Sequence, residues 1–275
     1  PQYKYFQGVL EDVSAKSQQV IADDEGSDED PVALAGEERV VHKDDMLSFG
    51  WLVGAMTVGR SVAHLTVQRH ENGCPDGPRY FGTGWLVGPQ HLMTNHHVIN
   101  GRSGGEPDAP EEDLHPQAAS TRVAFDYNEL YTDSVVVEVE KLCAWNSRHD
   151  NPSLDYAILK LKEPVEGRAP LVLAPKKLEN IEAALKRSGS DKPPVNIIQH
   201  PGGQPKMLGI RNNQVYQLTA NELSYFTDTE GGSSGSPVCD DNWQVVALHR
   251  RWKRFIKKNV RFQGKRTAWE NRGSR

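Results

Sequence analysis

The chain has 275 residues, enough for one or two domains with a buried core. Its 32 lysines and arginines against 37 aspartates and glutamates give a net charge of −5, which excludes a strongly basic nucleic-acid coat. No run of 18 apolar residues exists and no basic patch precedes an apolar run at the N-terminus, so neither a spanning helix nor a signal peptide is predicted. The three cysteines are widely spaced, which argues against a disulfide framework and favours a reducing, cytoplasmic location.

Residues 1–43 are predicted to form a disordered, acidic N-terminal linker. In residues 23–30 (DDEGSDED) six of eight are acidic, and a block of like charges repels itself and buries no face. An acidic docking tail is the alternative. Residues 44–60 then carry apolar side chains at helical spacing, which predicts a short helix.

After residue 61 the apolar period changes to two, which indicates β-strands. Only residues 178–187 suggest another helix, so no repeated strand–helix–strand unit is predicted. The predicted strands are 62–68, 80–87, 91–94, 122–127, 134–142, 156–161, 195–199, 206–210, 214–218, 222–227 and, with a turn at 240–242, 237–249.

These elements predict an all-β protein with two lobes. The predicted division is a linker at 1–43, a helix and first lobe at 44–165, and a second lobe with a basic C-terminal segment at 166–275. Residues 100–120, rich in Gly, Pro and acidic residues, are predicted to be a long loop, either functional or disordered. Residues 250–258 (RRWKRFIKK) form a basic segment, interpreted as a solvated face, with an acidic partner or nucleic acid as alternatives.

Three short motifs carry the candidate chemistry. The first, GTGWLVGPQHLMTNHHVIN at 82–100, ends in a histidine pair. The second, NPSLDYAILKLK at 151–162, places one acidic residue before an apolar strand. The third, TDTEGGSSGSPVCD at 227–240, is a glycine-rich loop with two adjacent serines.

A serine hydroxyl is a weak nucleophile at neutral pH. It needs an imidazole to take its proton and a carboxylate to orient that imidazole. It also needs backbone N–H groups directed at the developing oxyanion, which favours glycines next to the serine. The three motifs supply these groups, and no H-E-x-x-H or paired C-x-x-C pattern indicates a metal site.

The order TNxHV, DxAxLK and GxSGSPV resembles the chymotrypsin-like fold (trypsin-like) serine peptidases, in particular the bacterial intracellular and glutamyl-endopeptidase branch. The resemblance implies two antiparallel Greek-key β-barrels with the active site in the cleft between them. It also implies a serine endopeptidase that acts on protein or peptide substrates and needs no cofactor. The catalytic residues it implies are His97 as base, Asp155 as the orienting carboxylate and Ser234 as nucleophile.

The same resemblance implies that the backbone N–H groups of Gly232 and Ser234 form the oxyanion hole. Ser233 could instead be the serine of a G-x-S-x-G elbow, but that motif requires a helix directly after the serine, and Pro237 follows here. Secreted relatives carry an acid before the nucleophile that pairs with a cleaved amino terminus. Since Ser233 occupies that place, this activation is not expected.

The specificity pocket is predicted from Asp228, Thr229, His249 and Trp252. Asp228 occupies the position that selects basic residues in trypsin-type relatives, whereas Thr229 and His249 match positions that bind glutamate in glutamyl endopeptidases. The preference is therefore open between basic and acidic. The residues after Arg250 are a candidate self-inhibiting plug at the pocket mouth.

The resemblance further implies a module of a larger bacterial protein in defence or signalling, with an upstream sensor or regulatory domain. No nucleic acid and no membrane are expected as partners. The alternative from another class is a catalytically silent peptidase fold that serves as a binding module.

Overall fold

The computed structural model of the chain describes residues 46–150, 152–187, 192–210, 213–254, 261–262, 265–266 and 269–275, with backbone alone for those between 252 and 269. Residues 47–275 form one compact unit. The predicted linker at 1–43 lies outside the described residues, as do the side chains of the basic segment from Trp252 onward.

The helices and strands follow the predicted order closely. The helices are α1 Phe49–Gly59, α2 His96–Asn100, α3 Glu111–Ala119 and α4 Pro175–Lys186. The strands are β1 Val62–Glu71, β2 Cys74–Gly88, β3 His91–Thr94, β4 Arg122–Phe125, β5 Val135–Asn146, β6 Tyr156–Leu161, β7 Asn196–Gln199, β8 Met207–Gly209, β9 Val215–Leu218, β10 Glu222–Tyr225, β11 Pro237–Cys239, β12 Val245–Arg254, β13 Arg261–Phe262, β14 Lys265–Arg266 and β15 Trp269–Ser274.

The first lobe is a closed barrel with strand order β1-β2-β3-β6-β5-β4, and all its pairs are antiparallel. Strand β6 shows why these residues form it, because Ala157, Leu159 and Leu161 alternate with more exposed neighbours and face the barrel interior. Leu65 and Phe125 fill the same interior from strands β1 and β4.

The predicted loop at 100–120 is wrong in one respect, because residues 111–119 form helix α3. Its first turn is acidic, which suits a helix N-terminus, and Leu114 and Ala118 are buried against the barrel. A buried ion pair between Arg102 and Asp113, at 2.9 Å, ties the helix to the loop before it. Packing against the barrel thus overrides a composition that is typical of loops.

The second lobe is a seven-stranded antiparallel sheet with strand order β8-β7-β11-β12-β15-β10-β9. Its core contains Ile197, Val215, Tyr225 and Val238, and helix α4 packs on it through Leu178 and Ile181. The C-terminal ENRGS sequence is part of β15, which lies between β12 and β10. The two-lobed antiparallel β fold is confirmed.

A third core cluster joins the two lobes beneath helix α1. Trp85 and Ile198 lie in this cluster from the first and second lobes, and Val58 joins them from the helix. Gly54 permits the close approach of Trp243, since a Cβ at Gly54 would lie 2.5 Å from Cδ1 of that indole. Among the described residues, no helix is both long and apolar enough to cross a membrane.

Candidate active site

Two of the three predicted catalytic side chains are brought together by one strand pair. His97 lies in the short helix α2 directly after β3, and Asp155 lies directly before β6. Strands β3 and β6 pair antiparallel, with Thr94 opposite Ala157. Antiparallel pairing places the end of one strand beside the start of the other, so the histidine and the aspartate meet at one rim of the first barrel.

His97 contacts Asp155 through two groups. The Nδ1 atom of His97 lies 2.8 Å from Oδ2 of Asp155, and the His97 backbone N–H donates to Oδ1 at 3.0 Å. The exposed fraction of the side chain is 3% for Asp155 and 25% for His97, so the carboxylate is enclosed while the imidazole reaches the surface. His96, the other member of the pair, is buried.

The charge state of Asp155 follows from these contacts. Burial alone would raise the pKa of the carboxyl, but the charge of His97 and its hydrogen bonds outweigh burial and lower the pKa. An ionised Asp155 accepts the proton on Nδ1 of His97, and this leaves Nε2 of the neutral ring as an acceptor.

The backbone at Asp155 is held in an unusual conformation. Its φ is +55°, a left-handed value that Asp tolerates better than most residues. Asn95 donates to the Asp155 carbonyl at 2.8 Å, and the Asn146 side-chain oxygen accepts the Leu154 N–H at 2.6 Å. Asn95 and Asn146 were not predicted, although Asn95 precedes the histidine pair in the motif TNHHV and could have been singled out there.

Ser234 lies in the turn that precedes β11, where four successive carbonyl groups are engaged. Each carbonyl from residue 231 to residue 234 accepts a hydrogen bond, three from outside the turn and one from Ser236 within it. The donors are the Gly202 N–H to Gly231 at 2.5 Å, the Thr83 hydroxyl to Gly232 at 2.8 Å, the Ser236 hydroxyl to Ser233 at 2.7 Å and the Thr83 N–H to Ser234 at 2.8 Å.

Among the N–H groups of residues 232–235, those of Gly232 and Ser234 have no partner among the described residues. The Ser233 N–H donates to Glu230 at 3.0 Å and the Gly235 N–H donates to His249 at 2.9 Å. In a planar trans peptide the N–H points opposite to the C=O. Fixing the carbonyls of residues 231 and 233 therefore directs the N–H groups of residues 232 and 234 away from the framework, as an oxyanion hole requires.

A cleft of about 370 Å³ connects these groups. The three predicted catalytic side chains line it, as do two of the predicted pocket residues, Thr229 and His249. Its lining residues are His97, Arg148, Asp155, Thr229, Glu230, Gly231, Ser234, His249, Arg250 and Arg251.

Of the other two predicted pocket residues, Asp228 lies outside the cleft, and the side chain of Trp252 lies outside the described residues. Asp228 is exposed and absent from the lining, and its carbonyl accepts a hydrogen bond from the Gln199 side chain at 3.0 Å. The backbone of Trp252 lies in β12, opposite Asn271, but its side chain is outside the described residues. The predicted plug after Arg250 lies largely outside them as well.

His249 is a buried, neutral imidazole with a defined hydrogen-bond partner. Its Nδ1 lies 2.6 Å from the hydroxyl of Tyr225, which is fully buried. Burial, and then the charge of His97, lower the pKa of His249 to about 3. The Tyr225 hydroxyl has no other acceptor among the described residues, so we assign its proton to this bond, which leaves the His249 proton on Nε2. The hydroxyl of Thr229 donates to Asn271 at 3.1 Å.

Arg250 and Arg251, from the start of the predicted basic segment, form one wall of the cleft, and their clustering around Glu222 was not predicted. Arg250 is buried, and its guanidinium donates to the Ser153 carbonyl at 2.6 Å and to Glu222. The same Glu222 carboxylate also contacts Arg251 and Arg272. Because Arg272 also pairs with Glu270, three guanidinium groups meet two carboxylates, and one positive charge is left in excess. Arg251 presents positive charge to the cleft with half of its side chain exposed.

Known relatives align with much of this chain, but the aligned region is only part of each relative's length. The chain is 28% identical over 224 residues to the uncharacterized protein y4fB of Sinorhizobium fredii, which covers 77% of this chain and 31% of that protein. It is 30% identical over 182 residues to the secreted RxLR effector protein 73 of Plasmopara viticola, with coverages of 62% and 41%. It is 27% identical over 179 residues to a glutamyl endopeptidase of Staphylococcus epidermidis, with coverages of 63% and 55%. The chain thus spans less than two thirds of each relative.

A solved structure and a family match agree with the fold. The active form of the Rv3671c protease from M. tuberculosis superimposes with a TM-score of 0.51, covering 80% of this chain and 78% of that one at 17% identity, which shows a shared fold. Residues 82–248 match the family described as the trypsin-like peptidase domain. That match spans more than half of the sequence, from within β2 to beyond Ser234. The chain therefore belongs to the trypsin-like peptidase domain family, and its resemblance to the chymotrypsin-like serine peptidases is confirmed.

Proposed function

We propose that this peptidase is a serine endopeptidase that cuts protein or peptide substrates through an acyl-enzyme on Ser234. The observation that supports this best is the 2.8 Å contact between His97 Nδ1 and Asp155, in the same cleft that Ser234 lines. The N–H groups of Gly232 and Ser234, which have no partner among the described residues, support it further because they could stabilise a negatively charged oxyanion.

In this proposal the Ser234 hydroxyl attacks the scissile carbonyl while Nε2 of His97 takes its proton. The oxyanion forms against the N–H groups of Gly232 and Ser234, and Asp155 stabilises the imidazolium. His97 then gives the proton to the leaving amine, and the acyl group remains on Ser234. Water, deprotonated by His97, attacks the ester and restores the serine. The proton balance closes within the protein and the substrate, so the proposed reaction calls for no cofactor or metal.

The adjacent serines provide a matched test. A fluorophosphonate should add to wild-type protein and to Ser233→Ala, but not to Ser234→Ala, with the adduct located by mass spectrometry. Peptide turnover by Ser234→Ala should fall by about six orders of magnitude. Ser233 is buried, and its hydroxyl accepts the Glu230 N–H at 3.2 Å, so its loss removes one local contact. No adduct on the wild-type protein would favour the catalytically silent binding module instead.

We further propose that the cleft prefers an acidic side chain before the scissile bond. Asp228, the residue that would favour a basic side chain, is exposed outside the cleft. His249 offers an N–H donor, and Arg251 offers a positive charge. The Thr229 hydroxyl has already given its proton to Asn271, so we expect it to contribute less than His249.

This preference can be tested with three fluorogenic peptides that differ only in the residue before the scissile bond, which is Glu, Gln or Lys. We expect kcat/KM to be highest for Glu, and equal or higher values for Lys would refute the proposal. Tyr225→Phe should lower the ratio of kcat/KM for the Glu peptide to kcat/KM for the Gln peptide, because the His249 proton is then no longer fixed on Nε2. The Gln peptide is the internal control, since it keeps the shape of Glu without the charge.

The cellular setting also stays a proposal. All three cysteines, Cys74, Cys143 and Cys239, are free, which agrees with the expected reducing, cytoplasmic location. An upstream sensor or regulatory domain is proposed from the resemblance. Partial coverage of the longer relatives is compatible with such an arrangement.

A further inference from the structure

Thr83 is a residue of the first barrel that bonds directly to the nucleophile loop of the second lobe. It lies on β2 and is fully buried. Its backbone N–H donates to the Ser234 carbonyl at 2.8 Å, and its hydroxyl donates to the Gly232 carbonyl at 2.8 Å. One residue therefore holds the carbonyls on both sides of Ser233.

The Thr83 hydroxyl also links the loop to a third segment. It accepts the backbone N–H of His200 at 3.1 Å. A backbone N–H can only donate, so the proton of the hydroxyl is left for the Gly232 carbonyl. The direction of these two hydrogen bonds, from His200 to Thr83 and from Thr83 to Gly232, is thereby fixed. A serine at position 83 could form both bonds, whereas a valine, which has the same shape as threonine, could form neither.

The Gly232 carbonyl matters because its orientation sets the local backbone. Gly232 has φ +97°, a left-handed value, and its own N–H is one of the two unpartnered donors. The Gly232 N–H belongs to the preceding peptide and the Ser234 N–H to the following one. Tilting the peptide between residues 232 and 233 changes ψ of Gly232 and φ of Ser233, and thereby the relative direction of those two N–H groups. The Ser233 N–H of the same peptide donates to the Glu230 carbonyl at 3.0 Å, so loss of the Thr83 hydroxyl leaves one hydrogen bond instead of two to resist that tilt.

We propose that the hydroxyl of Thr83 is a positioning group that holds the nucleophile loop in its oxyanion-binding conformation. Thr83 does not touch the reacting atoms and acts through the Gly232 carbonyl. The catalytic part of this proposal rests on the serine endopeptidase function, whereas the structural part, the ordering of the loop, does not.

The test compares Thr83→Val with Thr83→Ser. We expect Thr83→Val to lower kcat by about 10- to 100-fold, which is less than the loss of about 10²–10³-fold in kcat when a whole oxyanion donor is removed. KM should stay within about threefold of wild type, since substrate binding does not use the oxyanion hole. Thr83→Ser should restore kcat to within about threefold. Thr121→Val is the matched control, because Thr121 is also buried and its hydroxyl bonds a carbonyl, that of Gln117, away from the loop.

Hydrogen exchange of a peptide spanning residues 231–238 supplies a readout that does not depend on activity. The Ser233 and Gly235 N–H groups are bonded in this loop, so we expect faster exchange in Thr83→Val than in Thr83→Ser or Thr121→Val. Wild-type exchange and kcat in Thr83→Val would overturn the proposal, as would an equal loss of kcat in Thr121→Val. Faster exchange in a protein that never labels with fluorophosphonate would refute the peptidase function and leave the positioning role standing.

Discussion

Substituting Gly232 by alanine is expected to separate the geometry of the oxyanion hole from general stability. A Cβ at Gly232 would lie 2.5 Å from the His200 carbonyl oxygen and 2.8 Å from the Gly203 nitrogen, both backbone atoms. No side-chain rotation can relieve these contacts, so the loop has to move by roughly 1 Å to reach an ordinary contact distance. Such a shift displaces the Gly232 N–H from the position that an oxyanion would occupy.

The expected magnitudes follow from two separate costs. The left-handed backbone of Gly232, with φ +97°, should cost an alanine about 1–3 kcal/mol of stability. Displacing one oxyanion donor should lower kcat by about 10²–10³-fold. The chain offers a control for the first cost alone, because Gly105 has φ +95° and nothing within 4 Å of an added Cβ.

The assay measures kcat and KM on one fluorogenic peptide together with the free energy of unfolding in urea, for wild type, Gly232→Ala and Gly105→Ala. Gly105→Ala should lose stability but keep wild-type kcat. Gly232→Ala should lose both, with the loss concentrated in kcat. If Gly232→Ala turns over substrate within threefold of wild type while remaining folded, the assignment of the oxyanion hole to this loop is wrong.

Three further predictions concern charge. Asp155→Asn should lower kcat by about 10⁴-fold with little change in KM, because an amide cannot hold His97 in the required tautomer; that magnitude comes from the general triad case, and steady-state kinetics measure it. Burial lowers the pKa of His64 to about 4, so His64 stays neutral in the fold while the unfolded chain takes up a proton near pH 6.5. The contribution of neutral His64 to the free energy of unfolding is therefore fully present above pH 6.5 and is lost as the pH falls toward 4. Between these pH values, His64→Phe should reduce the slope of unfolding free energy against pH by about 1.4 kcal/mol per pH unit. An unchanged slope would contradict the buried, neutral state of His64. Asp113→Asn should cost about 3–5 kcal/mol in urea unfolding, because it leaves the buried Arg102 guanidinium without its counter-charge; a loss below about 1 kcal/mol would show that the pair is not buried in solution.

The parts of the structure that could be predicted are those encoded by short local patterns. Strand β6 was predicted with its observed bounds because apolar residues alternate along it and face one interior. The motifs around His97 and Ser234 were informative for a similar reason, since their chemistry demands particular neighbours at fixed positions. The roles of His97, Asp155 and Ser234 remain predictions, although the structure brings all three to one cleft.

The parts that could not be predicted depend on distant neighbours. The residues of β15 include Glu, Asn, Arg and Gly, which have weak strand propensity, and they form a strand because β10 and β12 offer pairing on both sides. The resemblance implies a place for Asp228 in the pocket from its position in the motif, but a position along the chain does not give the direction of a side chain in a loop. The hydrogen bonds of Asn146 and Thr83 join segments far apart in sequence, and no local pattern marks them.

Each lobe donates hydrogen bonds to backbone carbonyls at or near the candidate catalytic residues of the other lobe. These contacts explain why residues that do not touch the substrate still matter. Ser234 belongs to the second lobe, but its carbonyl is bonded by Thr83 of the first. Asp155 belongs to the first lobe, but the carbonyl of Ser153, two residues before it, is bonded by Arg250 of the second. A small shift of one lobe against the other would therefore disturb the orienting carboxylate and the nucleophile loop together. Since a site of this kind tolerates errors of only about 0.5 Å, substitutions at these crossing contacts should act on kcat even where they touch no substrate.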